Sequence, residues 1–195
     1  MKKLIVTAFA LVALAATSNS YAQTMDKKMG KMGKMENPMV GGAAMYPTKD
    51  IVDNAVNSKD HTTLVAAVKA AGLVETLKSA GPFTVFAPTN EAFDKLPAGT
   101  VATLVKPENK ATLTKILTYH VLAGKYSSKD IVAAIKKGKG KATFTTVEGG
   151  KLMASMDMGK VKLTDENGGT AYVTIADVNQ KNGVIHVIDS VVTPK

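Results

Sequence analysis

The sequence predicts a single α+β domain in which an antiparallel sheet is flanked by short helices. Between residues 50 and 117, apolar side chains recur at helical spacing and are interrupted by glycine and proline. Between residues 142 and 192, apolar and polar residues alternate in short runs separated by Gly and Asn turns. A helix-rich half followed by a strand-rich half is typical of the α+β class, and no internal repeat suggests a second module.

The first half carries most of the predicted helices and one buried strand. Gly72 and the Gly81-Pro82 pair are expected to end helices, whereas Pro107 is expected to begin one. The apolar run 83–87 predicts a strand, and Thr89 or Asn90 is positioned to cap the helix that follows. Helices are expected over or within residues 50–58, 64–71, 73–77, 92–96, 101–105 and 107–117.

The second half is predicted to be mostly strand and turn. Ser127 and Asp130 have the spacing of a capping box for one more helix, through residues 131–135. Gly149-Gly150 and residues 166–169 are predicted turns. Strands are expected over residues 121–126, 142–147, 152–156, 161–163, 171–175 and 184–192.

Residues 1–22 have the features of a secretory signal peptide. Lys2 and Lys3 precede an apolar run at residues 4–16, and small residues stand before a cleavage site after Ala22. The run is shorter than the roughly 20 apolar residues that span a bilayer, so stable membrane insertion is not expected. We therefore predict export to the periplasm or the extracellular space.

Residues 23–47 differ in composition from the rest of the chain. They are rich in Met, Lys and Gly, which predicts a flexible tail before a folded domain over residues 48–195. The methionines suggest a copper(I) site as an alternative, because thioethers are soft ligands, but the interleaved lysines oppose cation binding.

The overall composition excludes several classes of function. The chain has no cysteine, so it offers no thiol for catalysis, redox chemistry or metal binding. All 25 basic residues are lysine, which argues against base-specific nucleic-acid recognition by guanidinium groups. The formal charge of +9 favours solubility and weak attraction to anionic surfaces.

Three sequence blocks, in this order, resemble the fasciclin domain. They are TVFAPTNEAF at 84–93, the pair Tyr119-His120, and NGVIHVIDSVVTP at 182–194. The resemblance covers residues 48–195 and implies a β-sandwich or half-barrel wedge flanked by helices. It also implies adhesion or matrix contact rather than catalysis. The family-motif residues, expected to be structural, are Thr89, Asn90, Phe93, Tyr119, His120, Asn182, Gly183, His186 and Asp189.

The three histidines are the main candidates for chemistry. His120 and His186 are interpreted as structural, with the ring of His120 bonded to backbone or to Asn90, because buried polar groups find partners. His61 precedes a helix and is expected to be exposed. The histidines lack the spacing of a local metal site, and no catalytic motif is present, so no catalytic residue, metal or cofactor is predicted.

The densest positive segment is the lysine loop, residues 136–141. Its side chains, at Lys136, Lys137, Lys139 and Lys141, are either solvated or a contact for an anionic glycan or for lipid headgroups.

The sequence therefore predicts a non-enzymatic, exported adhesion or interaction module. Its expected partner is a surface or matrix protein or glycan, and nucleic acid is not expected. The alternative is a binding protein for a hydrophobic small molecule held between helices and sheet. The oligomeric state is left open.

Overall fold

A computed structural model describes residues 37–195 of the protein. The predicted signal peptide at 1–22 and the part of the predicted tail at 23–36 lie outside the described residues.

The described residues form a small hairpin, a set of short helices and a large sheet. The helices are α1 (Ile51–Ala55), α2 (Thr62–Ala71), α3 (Val74–Lys78), α4 (Asn90–Asp94), α5 (Thr100–Leu104), α6 (Lys110–Tyr119) and α7 (Ser128–Lys137). The strands are β1 (Met39–Val40), β2 (Ala43–Ala44), β3 (Phe83–Pro88), β4 (Val121–Ala123), β5 (Lys141–Thr145), β6 (Lys151–Asp157), β7 (Lys160–Thr164), β8 (Thr170–Gln180) and β9 (Gly183–Ile188).

The large sheet has seven strands in the order β4-β3-β9-β8-β7-β6-β5. All neighbours pair antiparallel except β3 and β9, which run parallel. An isolated bridge between Leu122 and Thr146, and a 2.8 Å hydrogen bond from the Val147 N–H to the Val121 carbonyl, bring the two ends together. The sheet is therefore nearly closed, which confirms the predicted α+β wedge.

Apolar residues cover both faces of the central strands. One cluster lies between the helices and the sheet and includes Leu64, Val68 and Ile185. The other lies inside the wedge, where α7 contributes Ile131 and Ile135. Every residue of β9 is buried, as expected for a strand with a parallel neighbour and packing on both faces.

The hairpin β1–β2 belongs to the folded body, which begins at Asn37 rather than at Thr48 as predicted. Val40 and Met45 are 3% and 2% exposed and join the core between helices and sheet. Gly41 has a φ of +57°, and a Cβ there would lie 2.4 Å from the Ser58 Oγ. Glycine therefore lets the hairpin turn pack against the chain before α2. The flexible-tail prediction is wrong for residues 37–47.

Candidate functional site

His120 connects the end of α6 to the C-terminal segment. It is 2% exposed, and its Nδ1 lies 2.8 Å from the Ile116 carbonyl oxygen. Its Nε2 accepts a 3.2 Å hydrogen bond from the Val192 N–H. A carbonyl can only accept and an N–H can only donate, so the ring is the neutral tautomer with its proton on Nδ1. Burial lowers the pKa of His120 from 6.5 to about 4.

His186 makes a similar connection from β9. Its Nδ1 accepts a 3.3 Å hydrogen bond from the Asp177 N–H, and its Nε2 lies 2.8 Å from the Tyr126 carbonyl oxygen. The ring stacks on Phe86 at 5.7 Å between centroids. Burial lowers the pKa of His186, so this ring is also neutral near pH 7.

Asn182 joins three segments through its side chain. Its Oδ1 accepts from the Ile51 N–H at 3.1 Å, and its Nδ2 donates to the carbonyls of Leu77 and Ser79 at 2.7 and 3.0 Å. The neighbouring Gly183 lies so close to β3 that a Cβ would come within 2.1 Å of the Phe83 carbonyl oxygen. The Asn-Gly pair therefore sets the register of the parallel strands.

Thr89, not Asn90, caps α4, because the Thr89 side chain accepts from the Ala92 N–H at 3.2 Å. Asn90 instead reaches back to α2: its Oδ1 accepts from the Thr63 N–H at 3.0 Å. Its Nδ2 donates to the Lys59 carbonyl at 2.8 Å. The sequence predicts either backbone groups or Asn90 as partners of the His120 ring. Both ring nitrogens bond to backbone groups, and within the described residues the ring makes no hydrogen bond to Asn90.

The remaining family-motif residues also contact neighbouring segments. The Tyr119 hydroxyl donates to the Lys151 carbonyl at 2.6 Å, and burial raises its pKa to about 12. An Asp189 carboxylate oxygen accepts from the Tyr172 N–H at 2.8 Å. Phe93 is 7% exposed and packs in the core beneath the helices. These contacts position the structural elements.

His61 is buried, at 3% exposure, so the prediction that it is exposed is wrong. It lies in a 3-10 turn that folds its ring inward, with Nδ1 at 2.9 Å from the Ser58 Oγ. Its Nε2 has no hydrogen-bond partner among the described residues. Burial lowers the pKa of His61, and the nearby Ala87 backbone offsets only part of this effect. No hydrogen bond joins that backbone to Nε2 among the described residues.

His61 lines an apolar cavity between the helices and the sheet. The cavity has a volume of about 80 Å³, and exposed Lys69 and Val147 at its border bring it to the surface. Side chains of α1, α2, α3 and α6 form one wall, and those of β3, β8 and β9 form the other. The alternative prediction from the sequence placed a hydrophobic ligand between helices and sheet, but the sequence did not identify the lining residues, because they come from segments far apart in the chain.

The lysine loop lies at the surface. Lys136 and Lys137 end α7, Lys139 adopts a φ of 55°, and Lys141 begins β5; all four are exposed. Its role as an anionic-partner contact stays a prediction.

Within residues 37–195, no group of three or more His, Cys, Asp or Glu side chains is arranged to hold a metal ion. The helices in that part of the chain are too short or too polar to cross a membrane.

Comparisons with known proteins agree with the fold. Residues 59–194 match the fasciclin domain family model. The chain is 44% identical over 189 residues to Protein sll1483 of Synechocystis sp., covering 96% of this chain and 98% of that protein. It is 38% identical over 145 residues to Immunogenic protein MPB70 of Mycobacterium bovis, covering 72% and 66%. A solved FAS1 domain pair from the insect cell adhesion molecule fasciclin I has a TM-score of 0.63 and 20% identity, covering 73% of this chain and 50% of that chain.

Proposed function

The chain belongs to the fasciclin domain family, and from that premise we propose that it is a non-enzymatic adhesion or interaction module outside the cytoplasm. Its partner is a protein or glycan of the cell surface or matrix, and it works in the periplasm or the extracellular space. The solved relative, described as part of a cell adhesion molecule, supports this proposal. The signal-peptide pattern of residues 1–22 supports export.

One observation carries the non-enzymatic interpretation. The polar side chains of the family motifs are hydrogen-bonded to backbone groups of other segments, as His120, His186 and Asn182 illustrate. A general base must have a free lone pair within reach of a substrate proton, and both ring nitrogens of each of these two histidines are already engaged. These residues therefore hold the scaffold that presents a contact surface.

Binding to isolated cell envelopes tests this proposal. The exported protein should bind envelopes of the organism that produces it in a saturable manner, and protease or glycosidase treatment of the envelopes should remove the part of the binding that depends on a protein or glycan. The unfolded protein is the control. Absence of saturable binding to untreated envelopes would refute the adhesion role.

A second candidate function is binding of a hydrophobic small molecule, and the apolar cavity favours it. A cavity of about 80 Å³ is smaller than the roughly 150 Å³ that holds benzene in an engineered site, so it fits a small group or the end of a longer apolar molecule. The His61 Nε2, which is unpaired among the described residues, adds one polar contact in an otherwise apolar wall.

Native mass spectrometry of protein purified from its own host tests this candidate. A bound molecule should be present with the wild-type protein and absent from Val65→Phe, which narrows the cavity. Val56→Phe is the matched control, because Val56 is 47% exposed and does not line the cavity. Retention of the molecule by Val65→Phe would place it elsewhere.

A further inference from the structure

The strands β5, β6 and β7 carry opposite charges at their two ends. The turns at 146–150 and 165–169 lie at one end and contain Glu148, Asp165 and Glu166. The other end, which we call the basic end, comprises residues 136–141 and 156–162. It holds one carboxylate, Asp157, and six lysines: Lys136, Lys137, Lys139, Lys141, Lys160 and Lys162.

The strand register brings these lysines together. Lys141 pairs with Ser155, and Ser155 pairs with Lys162 on its other side. Of the six lysines, only Lys162 forms a salt bridge with a described residue, at 3.1 Å from Asp157. Lys136 and Lys137 lie in the last turn of α7, where positive charge offsets the helix dipole, but the other lysines lie outside that helix. The basic end therefore has an excess of exposed positive charge.

An apolar side chain projects from the middle of this charge. The β6–β7 turn lies three residues beyond Ser155, roughly 10 Å along the strand direction at about 3.3 Å per residue. Met158 at its tip is 94% exposed, and Met156 behind it is 43% exposed. Both apolar side chains are thus open to solvent beside the lysines of the basic end.

Met158 also has a backbone conformation that methionine rarely adopts. Met158 has a φ of 49° and Gly159 a φ of 78°, the left-handed pair of a tight hairpin turn. Asn or Gly adopts that conformation with less strain than Met does. The chain therefore holds an unburied apolar side chain at a position where a polar residue would be more stable and more soluble.

We propose that the basic end docks the protein onto an anionic lipid bilayer, with Met158 in the interfacial region and the lysines at the headgroups. The inference rests on the proposed interaction role and adds a lipid contact to the protein or glycan partner proposed above. A soluble polyanion would need only the lysines, whereas a bilayer also accepts the apolar tip. The tip lies roughly 10 Å beyond the level of Lys141 and Lys162, which is similar to the depth of about 5–10 Å reached by interfacial segments. Each lysine near an anionic surface strengthens binding roughly fivefold.

Sedimentation with lipid vesicles tests the proposal on the full exported chain. Vesicles of equal parts phosphatidylglycerol and phosphatidylcholine should bind the protein, and binding should weaken as NaCl rises from about 0.05 M to about 0.5 M. Vesicles of phosphatidylcholine alone should bind it poorly. Residues 23–36 carry four further lysines, which also attract anionic vesicles. Every variant retains these lysines, so the difference in vesicle binding between two variants reports the basic end alone.

Two variants separate charge from insertion. Replacing the four lysines of the lysine loop by glutamine should weaken vesicle binding by about several hundredfold, at roughly fivefold per lysine. The matched control replaces exposed Lys59, Lys69, Lys106 and Lys110 of the helical side by glutamine, which makes the same change in net charge and should retain most of the binding. Met158→Asn should weaken vesicle binding roughly fivefold while leaving the melting temperature equal or higher, since Asn suits the turn.

Binding to soluble heparin serves as the comparison. The lysine-loop variant should lose heparin binding as well, whereas Met158→Asn should retain it. Equal vesicle binding by Met158→Asn and wild type, or wild-type binding to heparin without binding to anionic vesicles, would overturn the bilayer assignment. Envelope binding that protease abolishes, without vesicle binding, would leave the proposed adhesion role intact while refuting this inference.

Discussion

Acidification should unfold the protein through its buried histidines, and His120 allows the effect to be calculated. Its pKa is about 4 in the folded protein and 6.5 when unperturbed. The unfolded chain therefore binds more protons between these two values, so stability is fully present above about pH 6.5 and decreases as pH falls toward 4. A difference from 6.5 to about 4, at about 1.36 kcal/mol per pKa unit, corresponds to about 3 kcal/mol.

Burial is the main cause of the lowered pKa of His120, and the hydrogen-bond partner of Nε2 gives a further physical reason. A proton on that nitrogen would face the Val192 N–H, so protonation replaces a hydrogen bond with donor–donor repulsion. His61 and His186 have lowered pKa values for the same reason of burial, and they should add to the loss in the same pH range. As the pH falls, the free energy of unfolding of the wild-type protein should therefore decrease by more than the contribution of His120 alone.

Urea unfolding at a series of pH values checks this prediction. His120→Asn should be less stable than wild type near neutral pH, by about 1–3 kcal/mol, because the Val192 N–H loses its acceptor. That difference should shrink by about 3 kcal/mol, and can reverse sign, as the pH falls to about 4. Asn182→Ala is the control: it removes buried hydrogen bonds without a titrating group, so its difference from wild type should stay constant. A constant difference for His120→Asn as well would refute the lowered pKa.

Three further predictions concern stability and are measured by urea unfolding at neutral pH. Asn182→Leu leaves three backbone groups without their partner and should lower the free energy of unfolding by about 3 kcal/mol or more. The control, Asn179→Ala at an exposed position, should change it by no more than about 0.5 kcal/mol, and equal effects would contradict the anchoring role of Asn182. Met45→Ala should lower the free energy of unfolding by about 2–5 kcal/mol, whereas Met39→Ala, at an exposed position, should change it little. An unchanged free energy of unfolding for Met45→Ala would mean that the hairpin does not pack on the body. Asn90→Leu breaks the connection between α4 and the start of α2 and should cost about 1–2 kcal/mol; no loss would show that the connection is dispensable.

Local patterns predicted the elements well where the required signal lies within a few residues. The strand at 83–88 follows from an apolar run, and the capping box of α7 follows from the three-residue spacing of Ser127 and Asp130. The composition of residues 39–44 resembles that of the low-complexity segment before them and therefore predicts a tail, although these residues form a hairpin. Its signal was the Gly41-Gly42 turn between apolar residues, and the burial of Val40 depends on helices that come later in the chain.

Long-range features could not be predicted from local pattern. The inward position of His61 results from the turn that packs its ring against Ser58. The cavity, and the meeting of the lysine loop with the β6–β7 turn, result from strand register. Those contacts depend on which strands pair, and alternating polarity alone does not determine that.

The parallel pairing of β3 with β9 has a consequence for when the chain can fold. Each β3 residue pairs with the residue 100 positions later, and β9 lies between β3 and β8 near the middle of the sheet. The strand that completes the core, β9, is made after all the other described strands, and closing so long a loop is slow. During synthesis the sheet remains divided, with β3 and β8 unconnected, until β9 emerges. The sheet therefore cannot close before residue 188 has been made, 100 positions after the end of its partner strand β3.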